Sequence, residues 1–322
     1  HQRASDRMAA EAASLLQKAE QPVLLLGQGA FVSRAHEGLT ELARKLACPI
    51  LTTSSVEIVA LEGLEDRTFP YGSPVSSEIV AKADVVLAIG TELGETLHYG
   101  RHHHWQKGRT DRKWIYVERD PTAIGVNRPI DVPLVGDLRD IVPQLNEVLA
   151  GTSRAVPAEM PEWTRAHAAQ KKELLDGVST VSSPIHTARL AVEASKALPK
   201  DVVIVRDGGT SGMYFSALFQ GTVRDAMWNS NYGAVGPGLP YAIGAQLAVR
   251  DTRRVVLLTG DSSMLFHVSE IETAARCNLP VVCVVAVDHA WGFECATYKA
   301  NIGHDTSMPG ACWPRRVRFA KL

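Results

Sequence analysis

Apolar residues in this chain follow two alternating patterns: short continuous runs, and longer stretches spaced at three or four residues. Residues 22–27 (PVLLLG) and 84–90 (DVVLAIG) are continuous runs that end at glycine, and they predict buried strands. Residues 9–19, 35–46 and 76–83 carry helical spacing, while 49–51 are extended. Two further strands are predicted at 113–118 and 132–135, and a helix at 138–149. Continuous apolar strands between amphipathic helices indicate a parallel sheet covered on both faces.

The second half repeats the alternation. Helices are predicted at residues 185–197, 213–218, 239–249 and 268–277, with strands at 202–205, 255–259 and 281–287. Between the halves, 151–161 hold Pro157, Pro161 and small residues, the composition of a linker, and 163–175 look helical. The expected architecture is α/β, with two tandem doubly wound parallel-sheet domains. The expected bounds are 1–150 for the first domain, 151–183 for the linker and 184–322 for the second.

Composition narrows the class. Hydrophobic residues at 45% and charged residues at 21% describe a globular chain, and 322 residues suffice for two cores. A formal net charge of −1 argues against nucleic acid or an anionic membrane as partner. The longest apolar run, 281–287, is too short to span a bilayer, and residues 1–7 hold no apolar core of a secretory signal. Cys48, Cys277, Cys283, Cys295 and Cys312 form neither an even framework nor a CxxC pair. The expectation is reduced thiols in a cytoplasmic protein. Phe319-Ala320-Lys321-Leu322 reads as the opening of an amphipathic helix that is cut off.

Ligands of doubly wound sheets bind where strand ends turn into helices. Three such turns in the second half are rich in small residues: Asp207-Gly208-Gly209-Thr210-Ser211-Gly212, Gly233-Ala234-Val235-Gly236-Pro237-Gly238 and Gly260-Asp261-Ser262-Ser263. Small residues let backbone amides approach a ligand, and helix amino termini favour phosphate. No lysine or arginine lies within these turns, and Arg206 beside Asp207 reads as an ion-paired strand end. An anion here therefore calls for a metal. Asp261 and Asp288, each at a strand end, supply the oxygen ligands that magnesium prefers. Other clusters are structural on this reading. Arg101-His102-His103-His104-Trp105 is an exposed loop, since adjacent histidines converge poorly on one ion. Gly27-Gln28-Gly29 lacks the third glycine of a dinucleotide fingerprint and is a structural turn.

Gly260-Asp261-Ser262, with Asp288 27 residues beyond Asp261, resembles the thiamine diphosphate motif, which begins Gly-Asp-Gly and closes with paired asparagines. Residues 270–281 (EIETAARCNLPV), 233–240 (GAVGPGLP) and 114–127 are also similar to the thiamine-diphosphate-dependent enzymes, and the acetohydroxyacid (acetolactate) synthase-like group is nearest. The resemblance implies a central domain followed by a diphosphate-binding domain. The pyrimidine-binding domain with its activating glutamate is expected to be missing, so no catalytic residue is assigned here and the chain should not complete a cycle alone. By resemblance, magnesium is held by Asp261, Asp288 and the Ala290 carbonyl. Gly209, Thr210, Ser211, Ser262 and Ser263 contact the diphosphate, while Val235 wedges beneath the thiazolium. Gly233, Gly260 and Trp291 complete the cofactor set.

Two substitutions depart from the family, Ser262 for glycine and Asp288 for asparagine; the second adds a negative charge. The implied activity is decarboxylation or carboligation of a 2-oxo acid, with thiamine diphosphate and Mg2+, in a homodimer or homotetramer. An enzyme like 2-hydroxyacyl-CoA lyase or oxalyl-CoA decarboxylase is the alternative, and a non-catalytic protein that kept the fold is the reading from another class. Flavin (FAD) is not expected, because Thr91-Glu92-Leu93-Gly94-Glu95 stands where flavin-binding synthases carry Phe-Asp-Asp-Arg.

Overall fold

The continuous apolar runs form strands buried on both faces, and every strand pairs in parallel with its neighbours. The computed structural model describes residues 2–101, 103–106, 108–109, 111–178, 182–199, 201–219, 221–228, 233–302, 310 and 317–321. His102 and Cys312 lie outside that set. The chain divides into two units, His1–Gln170 and Lys171–Leu322.

The first unit runs α1 (Asp6–Lys18), β1 (Pro22–Leu26), α2 (Gln28–Val32), α3 (His36–Leu46), β2 (Ile50–Thr52), β3 (Thr68–Pro70), α4 (Pro74–Lys82), β4 (Val85–Ile89), α5 (His103–Gln106), β5 (Lys113–Glu118), β6 (Val132–Val135) and α6 (Leu138–Val148), with the division falling inside α7 (Met160–Asp176). Its six strands lie in the order β3-β2-β1-β4-β5-β6. Helices start where a side chain can take up a free amide: Ser5 accepts from Met8, Ser73 from Ser76, and Asp137 from Arg139. Helix α1 turns Ala9, Ala12, Ala13 and Leu16 inward, the spacing of one helical face. Trp114, Tyr116, Phe69 and Trp163 fill the largest volumes of the core. The sequence gives no sign of β3. Its three residues, one of them proline, become a strand only by pairing with β2 at Ile50↔Thr68.

Strand order in this sheet reverses between β1 and β4, the usual place for a ligand crevice. Here backbone fills it. The Gly27 amide donates to Ile89 O at 3.0 Å and the Gly29 amide to Gly90 O at 2.9 Å. A Cβ on Gly27 would stand 2.3 Å from Gly90 O. Gly90, at φ 61°, could carry one only 2.2 Å from Ala30 N. These glycines let two turns touch, and no side chain fits between them.

The second unit contains α8 (Thr187–Ala197), β7 (Val203–Arg206), α9 (Gly209–Leu218), β8 (Asp225–Met227), α10 (Gly238–Val249), β9 (Val255–Gly260), α11 (Asp261–Phe266), α12 (Glu270–Arg276), β10 (Val282–Ala286) and α13 (Gly292–Ile302). Its sheet has the order β10-β9-β7-β8. Strands β7 and β9 are central and buried, whereas β10 at one edge is half-exposed. Among the described residues no helix is long and apolar enough to cross a membrane.

Candidate functional site

In the second sheet the strand order reverses between β7 and β9: β8 lies outside β7, and β10 outside β9. The turns leaving these two strands are Asp207-Gly208-Gly209 and Gly260-Asp261-Ser262, so two of the three small-residue turns flank the reversal. Helices α9, α10 and α11 begin at Gly209, Gly238 and Asp261. Their N-cap residues, Gly208, Pro237 and Gly260, make no side-chain cap hydrogen bond. A helix start without its own cap leaves N–H groups and partial positive charge to other acceptors: Asp207 takes the Gly238 amide of α10 and Asp261 the Ser262 amide of α11.

Asp261 opens α11 and is 1% exposed. Its Oδ1 accepts from the Ser262 amide and its Oδ2 from the His289 amide, both at 2.8 Å, which ties the end of β9 to the loop after β10. Burial raises the Asp261 pKa; the His289 amide opposes the rise and the nearby Asp288 charge adds to it. Asp288 is exposed, and its Oδ1 accepts from the Ala290 amide at 3.0 Å. Between them, His289 takes φ 60°, a left-handed conformation uncommon outside glycine.

Bare glycines show which side chains converge. A Cβ on Gly292, the first residue of α13, would stand 2.5 Å from Asp288 Oδ2 and 3.8 Å from Thr210 Oγ1. At Gly260 it would meet Ser211 Oγ at 3.1 Å and Ser262 Oγ at 4.0 Å, and at Gly208 the Val235 Cγ2 at 3.7 Å. The Phe266 and Trp291 rings meet edge to face with centroids 5.5 Å apart, and a Cβ on Gly236 would stand 2.5 Å from Phe266 Cβ. Around these glycines Thr210 and Asp288 lie beside Gly292, Ser211 and Ser262 beside Gly260, and Val235 beside Gly208, while Asp261 joins Ser262 to the Asp288-His289-Ala290 loop. Ser263 follows in α11 and is 1% exposed. Gly209 and Gly233 take φ 80° and 60° with open space where a Cβ would stand; their contribution is backbone conformation.

The donors are hard oxygens. Among the described residues no group of three His, Cys, Asp or Glu side chains could hold a metal. A transition-metal cage is thus not formed by described side chains. Two carboxylates beside uncapped amides do fit magnesium, which binds through one or two carboxylates plus phosphate oxygens. Each Asp261 oxygen uses one acceptor position on an amide and keeps another. A 710 Å³ cavity in this unit is lined mostly by apolar side chains, Leu239, Met264, Cys283 and Val285 among them, with Arg318 and no carboxylate in its wall.

Sequence reasoning missed Asp207. Read as the partner of Arg206, it is 2% exposed and uses both carboxylate oxygens on backbone amides: Oδ1 for Gly208 at 2.7 Å and Gly236 at 3.1 Å, Oδ2 for Gly238 at 2.8 Å. The Arg206 guanidinium lies 4.0 Å over the Trp228 ring. The only signal in the sequence was an acidic residue at the end of a buried strand followed by two glycines.

Two family models match the chain. The thiamine pyrophosphate enzyme central domain covers residues 9–145, and the thiamine pyrophosphate enzyme C-terminal TPP binding domain covers 207–322. The chain belongs to the thiamine pyrophosphate enzyme family. It is 31% identical to oxalyl-CoA decarboxylase of Escherichia coli (strain K12), over 97% of this chain and 54% of that protein. Identity to 2-hydroxyacyl-CoA lyase 1 of Mus musculus is 28%, covering 94% and 53% respectively. With the acetolactate synthase large subunit of Porphyra purpurea it is 27%, covering 93% and 51%. The chain spans about half the length of these curated relatives.

Proposed function

We propose that the reversal between β7 and β9 binds the diphosphate of thiamine diphosphate with a magnesium ion. The enzyme concerned breaks or forms the bond beside the carbonyl of a 2-oxo acid. The observation that carries this reading is the approach of Thr210 Oγ1 and Asp288 Oδ2 to one bare glycine, Gly292, beside buried Asp261. Asp261, Asp288 and the Ala290 carbonyl would hold magnesium. Thr210, Ser211, Ser262 and Ser263, with the amides opening α9, would hold diphosphate oxygens. Gly209, Gly233 and Gly260 let backbone come close. Val235, half-buried against Gly208, would support the thiazolium, and Trp291 would cover one side. When bound, the cofactor supplies a nucleophilic carbon and an electron sink. The residues of this chain would bind it, orient it and keep water from its thiazolium ring.

Acetolactate-type carboligation from pyruvate is the first reading of the reaction. Carbon–carbon cleavage in a coenzyme A thioester, as in a 2-hydroxyacyl-CoA lyase or oxalyl-CoA decarboxylase, is the second, favoured by the higher identity to oxalyl-CoA decarboxylase, 31% against 27% for the acetolactate synthase subunit. Carbon dioxide release from pyruvate or from oxalyl-CoA, by the polypeptide that carries this sequence, separates the two. A homodimer or homotetramer is proposed as the assembly, and light scattering that finds only monomer at high concentration would remove it. The binding reading is tested by calorimetric titration of thiamine diphosphate with and without Mg2+. Saturable binding that requires the metal supports it. An absence of heat at millimolar cofactor with Mg2+ present overturns it.

A further inference from the structure

We infer that Asp207 is a positioning residue: its buried carboxylate clamps the turn carrying Val235 onto the turn carrying Thr210 and Ser211, and so shapes the cofactor crevice before any ligand arrives. The inference rests on the cofactor reading of this edge. Asp207 ends β7, where Gly208, Gly209, Thr210 and Ser211 follow. Its bonds to the Gly236 and Gly238 amides reach a turn that is 29 and 31 residues away in the chain. Gly238 is the first residue of α10, whose own N-cap residue, Pro237, makes no side-chain cap bond. The Asp207 carboxylate takes that place from another strand end, so a negative charge meets the positive end of the helix.

The surroundings pack closely around this acid. A Cβ on Gly238 would stand 2.7 Å from both Asp207 Cβ and Oδ2, and one on Gly212 would stand 2.5 Å from Asp207 O. Gly236, with φ 99°, is held from the far side as well, because its carbonyl lies 2.9 Å from His267 Nδ1 of the segment after α11. Val235 precedes Gly236 directly, and its Cγ2 rests against Gly208. Loss of the carboxylate frees two amides at the hinge of the Val235 turn while leaving β7, β9 and the sheet contacts in place. Asp207 touches neither the diphosphate nor the metal in this reading; it acts through Val235 and the opening of α10.

The test compares the parent with Asp207→Asn and Asp207→Ser by amide hydrogen exchange and by calorimetric titration of thiamine diphosphate at saturating Mg2+. The Gly236 and Gly238 amides should both exchange about tenfold faster or more in Asp207→Ser, and at least one of them should in Asp207→Asn, while the β9 amides of Val256, Leu257 and Leu258 keep parental rates. Cofactor affinity should fall about tenfold in Asp207→Asn, which keeps the shape but offers an amide nitrogen in place of one acceptor oxygen. Unchanged exchange at Gly236 and Gly238 overturns the clamp. Faster exchange throughout β7, β9 and β10 overturns it too, since that marks general destabilisation. Parental cofactor affinity in a variant with a loosened turn overturns the positioning role. If the parent itself binds no cofactor, the reading of the edge falls and the positioning role falls with it. Failure of the inference alone is the case in which parent and variant bind equally.

Discussion

The two units build the same device, a parallel sheet whose strand order reverses at one point, and use it in opposite ways. In the first unit the reversal between β1 and β4 is closed by Gly27, Gly29 and Gly90, packed backbone to backbone. In the second, at the reversal between β7 and β9, Gly208 faces the Val235 side chain and Gly260 the Ser211 and Ser262 hydroxyls, while Gly209 has open space. The helices also start differently. Ser5, Ser73 and Asp137 cap helices of the first unit with their own side chains, whereas α9, α10 and α11 begin on Gly208, Pro237 and Gly260. A glycine after a strand is therefore not itself a ligand signal. What a Cβ would strike there separates a packing glycine from a binding one.

The largest expected effect separates the two kinds. Gly90→Ala places a Cβ 2.2 Å from Ala30 N at φ 61°, so backbone must move. It should lower stability by about 3–5 kcal/mol in urea unfolding. Gly292→Ala brings a Cβ within 2.5 Å of Asp288 Oδ2, the free end of an exposed side chain, which can swing away. Stability should change by less than about 1 kcal/mol. Magnesium-dependent cofactor affinity should weaken about tenfold by titration, because Asp288 would leave its place. Equal stability losses for the two variants would erase the distinction.

Much of this was legible in the residues. The strands 113–118 and 132–135 were placed at their observed bounds, because continuous apolar runs have few alternatives. The start of α9 was not. Gly209-Thr210-Ser211-Gly212 reads as a turn, since glycine is a poor helix former, yet the helix begins at Gly209 and not at Met213. Tertiary contacts fix that start: Gly212 fits against the Asp207 carbonyl where no Cβ could. Strand β8, Asp225–Met227, was missed because it is a half-exposed edge of mixed polarity. The bonds from Asp207 to Gly236 and Gly238 were invisible because no local pattern links residues so far apart in sequence.

A smaller effect tests the charge at the open edge. Asp288→Asn removes one of two carboxylates beside a polyanionic ligand. It should tighten thiamine diphosphate binding by on the order of 1 kcal/mol at saturating Mg2+. Equal affinities, with metal affinity also unchanged, would place Asp288 outside the coordination shell. The smallest effect concerns pH. Burial, with Asp288 adding to it, raises the Asp261 pKa above its unfolded value of 3.8. Between those two values the folded chain holds more protons than the unfolded one, so this group's stabilising contribution falls as pH rises through the window. Metal-free Asp261→Asn should show a flatter loss of stability over that window than the parent, in urea midpoints measured from about pH 4 upward. Mg2+ should reduce the parent's slope, since a divalent ion favours the ionised carboxylate. Identical slopes for parent and variant would show that Asp261 is not held in this environment.

One measurement bears most directly on the contrast between the closed edge and the open one: a crystal structure of the chain grown with thiamine diphosphate and Mn2+, with the metal located by its anomalous scattering. The metal should lie about 2.1 Å from carboxylate oxygens of Asp261 and Asp288, with the diphosphate against Thr210 and Ser262 and nothing bound between Gly27 and Gly90. A metal and cofactor seated in the first unit, or cofactor density away from Asp261, would contradict the account.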